Sequence, residues 1–287
     1  MNPRAQALAR FTVALVLVMF VSLPSASSAA PVKVGDPSGG GHHNPGVFPP
    51  GSSPYGKSYS EWSAEQWKWL MAIPTPSNPS NDFTGANGTL GQSGKVWFLC
   101  ASSCPFNQNC GNFFVTRNLT IPSGTSLFFP LIATECSLGE GNGPTVADLR
   151  ACATLFGDNA INLSCAIDGD PVQDVNAYRV QSPLFEFSYP ADNIFAIPSP
   201  PYTTQSVSDG VWMMLAPLSA GQHTIHFTGG INPSVFSFGF DLTYQITVAR
   251  AGRLATAQGA SESHPGADAG APATRRTSWG RVKAIYR

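Results

Sequence analysis

The chain has 287 residues, of which only 11% are charged, with 28 glycines, 25 prolines and 18 phenylalanines. That many turn formers beside so few charges excludes a predominantly helical protein and points to a loop-rich, mainly β chain. The formal net charge of −1 conceals a division: residues 31–249 carry seven basic and fifteen acidic side chains, residues 250–287 seven and two. An acidic globular part argues against a nucleic-acid surface there.

At the start of the chain, Arg4 and Arg10 flank a short apolar run over 11–23, followed by small residues over 24–30. The run falls short of the roughly 20 apolar residues that a transmembrane helix needs. The pattern reads as a signal peptide over 1–29, cut after Ala29, and places the mature chain outside the cell or at its surface, with no transmembrane span. Residues 30–54, rich in Gly, Pro and Ser, read as a flexible leader. The adjacent His42 and His43 lack carboxylate or cysteine neighbours, so they read as loop residues rather than metal ligands.

Ser58 opens the clearest helix, Ser-Tyr-Ser-Glu-Trp-Ser-Ala-Glu-Gln-Trp-Lys-Trp-Leu-Met-Ala-Ile. Ser58 and Glu61 have capping-box spacing and Pro74 stops the helix. Tyr59, Trp62, Trp69, Leu70 and Ile73 share one face, interrupted by Gln66. Trp67 points off that face and is the aromatic candidate for a ligand contact.

From residue 94 the apolar pattern alternates, with strands expected over 95–100, 112–121, 126–132, 161–167, 183–189, 211–216 and 222–227. A second, short helix is expected over 145–156, with Thr145 as cap and Asp148 three residues on. Asp168-Gly169 and Asp209-Gly210 read as turns. In 236–248 every even-numbered residue is apolar or aromatic and every odd one small or polar, the mark of a long half-buried strand. Strands with short connections predict a two-layer antiparallel β-sandwich over 55–249, jelly-roll or Ig-like, carrying the amphipathic N-terminal helix and the short second one. Residues 250–274 read as a disordered linker and 275–287 as a basic peptide, a candidate surface-attachment or lipid-binding address.

Cys100, Cys104, Cys110, Cys136, Cys152 and Cys165 form an even set in a chain read as exported. They are expected to make three disulfides whose pairing the sequence leaves open, with at least one local loop closed within 100–110 and Cys165 pointing into the core.

His223 and His226 lie three residues apart in a stretch that reads as a strand. Alternation sends them to opposite faces, so they do not share a metal ion. His226, on the polar face, is the one placed to meet a ligand. Glu135 and Glu140 are the candidate acid/base pair of a hydrolase, with His226 assisting. Arg117 is a rare cation in an acidic domain, a candidate for a carboxylate pair or a bound anion. Nucleophile-elbow, phosphate-loop and His-Glu-x-x-His motifs are lacking, and neither a metal nor a cofactor is expected.

Tyr55-Gly56, Glu61-Trp62, Trp67-x-Trp69, Leu127-Phe-Phe-Pro130, Asp209-Gly210 and His223-Thr-Ile-His-Phe227 together resemble a group of exported bacterial proteins without assigned function. The resemblance spans 55–249 and implies a bacterial source and a single domain, but no catalytic residue. The leading functional expectation is a secreted binding module for carbohydrate or a cell-surface partner. The alternatives are the Glu135/Glu140 hydrolase and a structural envelope protein displayed through its basic tail.

Overall fold

A computed structural model describes residues 44–102, 111–197 and 203–250. The expected signal peptide, the start of the leader, Cys104, Cys110, the linker beyond Arg250 and the basic peptide lie outside them. Among the described residues the regular elements are, in chain order, α1 (Tyr59–Met71), β1 (Val96–Phe98), β2 (Gly111–Pro122), β3 (Ser126–Ser137), α2 (Val146–Asp158), β4 (Ala160–Ile167), β5 (Asp170–Pro171), β6 (Arg179–Gln181), β7 (Phe185–Ser188), β8 (Thr203–Leu215), β9 (Gly221–Ile231) and β10 (Phe238–Ala249). None of the helices is long and apolar enough to cross a membrane.

The chain is mainly β, as its composition implies, and its strands form two five-stranded sheets. One runs β1-β3-β8-β6, with β7 also paired to β8; the other runs β2-β10-β9-β4-β5. The expectation of purely antiparallel sheets is corrected. β1 runs parallel to β3, and β2 runs parallel to β10 along its whole length. A crossover of more than a hundred residues separates β2 from β10, and local turn chemistry carries no sign of such a pairing.

β10 is an interior strand of its sheet, paired on both sides with β2 and β9. Phe240, Leu242, Tyr244, Ile246 and Val248 are all buried. The two sheets meet through one core: Phe129 of β3 lies 5.1 Å from Phe227 of β9, ring centre to ring centre. On its other face β3 turns Phe128 toward α1, stacked on Trp212 at 5.1 Å and edge-on to Tyr59. A register shift around Leu131 interrupts the β3–β8 ladder. The Leu131 carbonyl oxygen there bulges so close to Gly229 that any Cβ would overlap it, which is why β9 needs glycine at that point.

Both helices start as expected. Ser58 Oγ accepts from Glu61 N, while Glu61 Oε2 accepts from Ser58 N at 2.8 Å. Thr145 and Asp148 make the same reciprocal pair at the start of α2. Leu149 and Ala153 of α2 pack on Cys136 and Val207 of the first sheet, and the Cys136–Cys152 disulfide ties helix to strand.

Three further expectations are corrected. Asp209-Gly210 is not a turn: both residues lie inside β8, where Asp209 is buried against Arg179 and Gly210 fits against Ala133. Asp168-Gly169 is the true turn, both residues at positive φ, closing the β4–β5 hairpin. Residues 46–48, expected within the leader, run along the end of β8: Phe48 N donates to Met214 O at 2.9 Å and Ala216 N to Gly46 O at 2.8 Å. Finally, Cys100 and Cys165 are buried free thiols, so two of the six cysteines expected in bridges are not in them. Cys165 does point into the core.

Candidate functional site

β1 covers β3 only as far as Phe128, so beyond that point the β1-side edge of β3 is unpaired by any named strand. A cavity of about 80 Å³ opens beside this stretch. One wall is α1, through Gln66, Trp67 and Leu70, and another is the segment after β1, through Cys100 to Ser102. Thr134 and Glu135 of β3 form the base, and Phe156, Phe236, Phe238 and Phe240 supply aromatic rings.

Four buried polar atoms of this lining have no hydrogen bond from an ordinary protein donor or acceptor: Gln66 Oε1, Trp67 Nε1, Ser102 Oγ and Glu135 Oε2. Left bare, each costs about 1–3 kcal/mol. The lining therefore gathers an unusual share of unmet hydrogen-bonding capacity in one apolar enclosure. Gln66 and Ser102 were not singled out as site residues by the sequence. The one available signal was that Gln66 breaks an apolar helix face between tryptophans. Its side-chain nitrogen reaches Leu99 O at 3.5 Å, which leaves its carbonyl oxygen facing the cavity.

Glu135 is almost wholly buried, and its Oε1 accepts a hydrogen bond from Ser206 across the β3–β8 ladder. Burial pushes its carboxyl up to about 7, even though the hydrogen bonds from Ser206 and the Glu140 carboxyl work the other way. Glu140 is also held well above the usual carboxylate range, by burial first and then by the charge of Glu135. Ser137 Oγ lies 3.3 Å from Glu140 Oε2 and 2.8 Å from the Tyr189 hydroxyl. The two carboxyls influence each other's proton binding, so the pair rather than either residue gives up the first proton, while Glu135 Oε2 keeps no protein partner.

The structure thus brings Trp67 and Glu135 to one cavity and sets Glu140 behind Glu135. Trp67, the candidate ligand contact, is half-buried and packs against the core beside the other two tryptophans of α1. His226 does not join them. On β9 it faces away from core residue Phe227 and bonds Asp241 Oδ1 at 2.9 Å on the outer face of the second sheet, so it cannot assist Glu135. His223 pairs instead with Asp168 at 2.6 Å and with Ser219 O at 2.9 Å. The opposite orientation read from the strand pattern holds, and the described residues contain no cluster of three or more metal-ligating side chains.

Arg117 is neither paired with a carboxylate nor open to an external anion. It is buried, and its guanidinium donates to the backbone oxygens of Asp82, Cys100 and Ser80 and to the Tyr244 hydroxyl. Burial works against its charge, but these acceptors and the nearby Asp82 charge outweigh it and hold the proton more firmly than usual. Arg117 therefore fixes the Cys100 wall of the cavity from behind.

No protein-family model matches this sequence, and no curated protein matches it. A chain from the solved structure of PbICP-C in complex with falcipain-2 is similar over 54% of this chain and 100% of its own, at 11% identity and a TM-score of 0.21. A likeness that slight carries no argument about fold or function.

Proposed function

We propose that this chain is an exported ligand-binding module, a two-layer sandwich whose ligand enters the cavity between α1, β3 and the phenylalanines of the second sheet. One observation carries the reading: Gln66, Trp67, Ser102 and Glu135 all present unmet polar atoms to that one apolar enclosure. Sites for small molecules have this composition, a largely apolar lining with a few convergent polar groups. Export is supported by the signal-like first 29 residues and by the Cys136–Cys152 bridge, which suits an oxidising compartment. The cavity is smaller than the roughly 150 Å³ that admits benzene. It therefore suits a small molecule, or one end of a larger one, better than a whole sugar ring. A carbohydrate would find its aromatic platform elsewhere, at the exposed Phe114 on the outer face of the second sheet. The test is a thermal-shift panel of small amines, alcohols, amides and acids. At least one compound is expected to raise the melting temperature in the natural chain and fail to do so in Trp67→Ala; a panel with no such compound overturns the reading.

The second reading is acid–base catalysis by Glu135 with Glu140, favoured by a buried carboxyl poised at about 7 with an unpartnered oxygen in the cavity lining. Turnover of any substrate that Glu135→Gln abolishes without lowering the melting temperature is the observation that would select it.

A further inference from the structure

The unmet polar atoms of the cavity are unequal in kind. Gln66 Oε1 and Glu135 Oε2 accept only, and Ser102 Oγ can accept; Trp67 Nε1–H is the sole obligate donor. A ligand that satisfies them must bring several N–H or O–H donors on one compact group. Gln66, Ser102 and Glu135 are all more than nine-tenths buried, so these acceptors are part of the built interior rather than a surface coincidence.

Charge points the same way. With one proton between them the two carboxyls already carry a negative charge, in an enclosure that no basic side chain among the described residues lines. The cations nearest in the fold are engaged elsewhere. Arg117 is spent on Asp82 O, Cys100 O, Ser80 O and the Tyr244 hydroxyl. On α1, Lys68 pairs with Glu65; on the α2 side Arg179 pairs with Asp158 and Asp209, and Arg150 bonds Gln181 and Ser182. The lining also includes Trp67 and several phenylalanines, and aromatic ring faces attract cations most strongly where water is excluded.

We infer that the cavity takes a small primary ammonium group, its three N–H bonds directed to Glu135, Gln66 and Ser102 and its short alkyl body held among Trp67, Phe156, Phe236, Phe238 and Phe240. The inference rests on the ligand-binding reading above and specifies its ligand. A quaternary ammonium brings no N–H donor to these acceptors, and a carboxylate or phosphate meets the buried Glu135 charge, so both are disfavoured. An amino alcohol adds a hydroxyl oxygen for the Trp67 N–H.

The test is titration calorimetry on the full chain at pH 8 with n-propylammonium and ethanolamine, against propan-1-ol as a neutral molecule of similar shape. The ammonium probes are expected to bind at least tenfold more tightly than propan-1-ol. Glu135→Gln, which keeps the bulk of the side chain, is expected to remove that advantage, so that the ammonium probes bind no more tightly than propan-1-ol. Gln66→Met serves as a second variant should Glu135→Gln fail to fold, and is expected to weaken the ammonium probes several-fold. If propan-1-ol binds as well as the ammonium probes, or if the folded variants leave ammonium affinity intact, the inference is overturned and the cavity reading survives. Binding by none of the three probes sinks both.

Discussion

Glu135 and Glu140 meet carboxyl to carboxyl at the end of β3, five residues apart, one almost wholly buried and the other half-buried. Both folded carboxyls hold their protons more tightly than in an unfolded chain. The folded state therefore binds more protons than the unfolded one from about 4.5 up through about 7, and stability falls as pH rises through that window. Below the unfolded value the penalty disappears. Glu135→Gln is expected to flatten this slope, so that the variant melts higher than the natural chain at pH 8 and close to it at pH 4. Each kcal/mol would appear as about 2–4 °C. Thermal melts across pH 4–8 decide it; parallel curves for the two proteins would refute the pair's raised hold on its protons.

His223 provides a second and separable pH effect. Both ring nitrogens face acceptors, Asp168 Oδ2 and Ser219 O, which favours the doubly protonated ring. Partial burial opposes the charge, but those two partners outweigh it and raise the pKa. Its contribution to stability is fully present below the unfolded histidine value of about 6.5 and is lost as pH rises through the higher folded value. Because Asp168 is 44% exposed, solvent screening keeps the gain below about 1 kcal/mol. An NMR titration of the imidazole protons should show the His223 midpoint drop in Asp168→Asn; an unmoved midpoint would remove Asp168 as its partner.

What the sequence revealed follows from where each signal is stored. The alternation of β10 was legible because one face of that strand packs on the core residue after residue, and period two records burial directly. The capping boxes at Ser58 and Thr145 were legible because all their partners lie within three residues. The parallel partnership of β2 with β10 was not, since its partners are more than a hundred residues apart and neither strand's own pattern names the other. Asp209-Gly210 was misread for a related reason. Local turn chemistry is outweighed there by the Arg179 partner and by the packing of Gly210 on Ala133, both supplied by distant strands. Glu135 and Glu140 were visible as a pair because they are neighbours in the chain. Gln66 and Ser102 join them only in three dimensions, and the one clue in sequence was an amide set into an aromatic helix face. His226 was placed on the right face of its strand but on the wrong side of the sheet for Glu135.

The four described cysteines divide into a structural bridge and inert thiols. The Cys136–Cys152 bridge closes a separation of 16 residues, and a loop of that length stabilises by about 3 kcal/mol in the chain-entropy account. Replacing both residues by alanine should lower the denaturant midpoint accordingly without changing the far-ultraviolet circular dichroism. Burial pushes the Cys165 thiol up to about 12, and burial also raises Cys100 despite the adjacent Arg117. Thiolate is scarce at both, so alkylation followed by peptide mapping should leave Cys100 and Cys165 unmodified in the native protein and label them only on unfolding. Rapid native labelling at either position would contradict their burial.

Arg117 ties together three parts of the chain: the Ser80–Asp82 segment, the Cys100 wall and Tyr244 of β10. The planar guanidinium meets them from three different nitrogens, the closest contacts being 2.6 Å to Cys100 O and 2.7 Å to Asp82 O. A lysine at this position keeps the charge but has one nitrogen, which cannot reach Asp82 and Tyr244 from the same place. Backbone oxygens at Ser80 and Asp82 would lose their donor, and the buried ammonium would be short of acceptors. Arg117→Lys is therefore expected to cost about 3–5 kcal/mol, close to the effect of removing the cation altogether. Denaturant unfolding of Arg117→Lys beside Arg117→Met measures this. A lysine variant within about 1 kcal/mol of the natural chain would show that charge, rather than the fork of donors, holds the Cys100 wall in place.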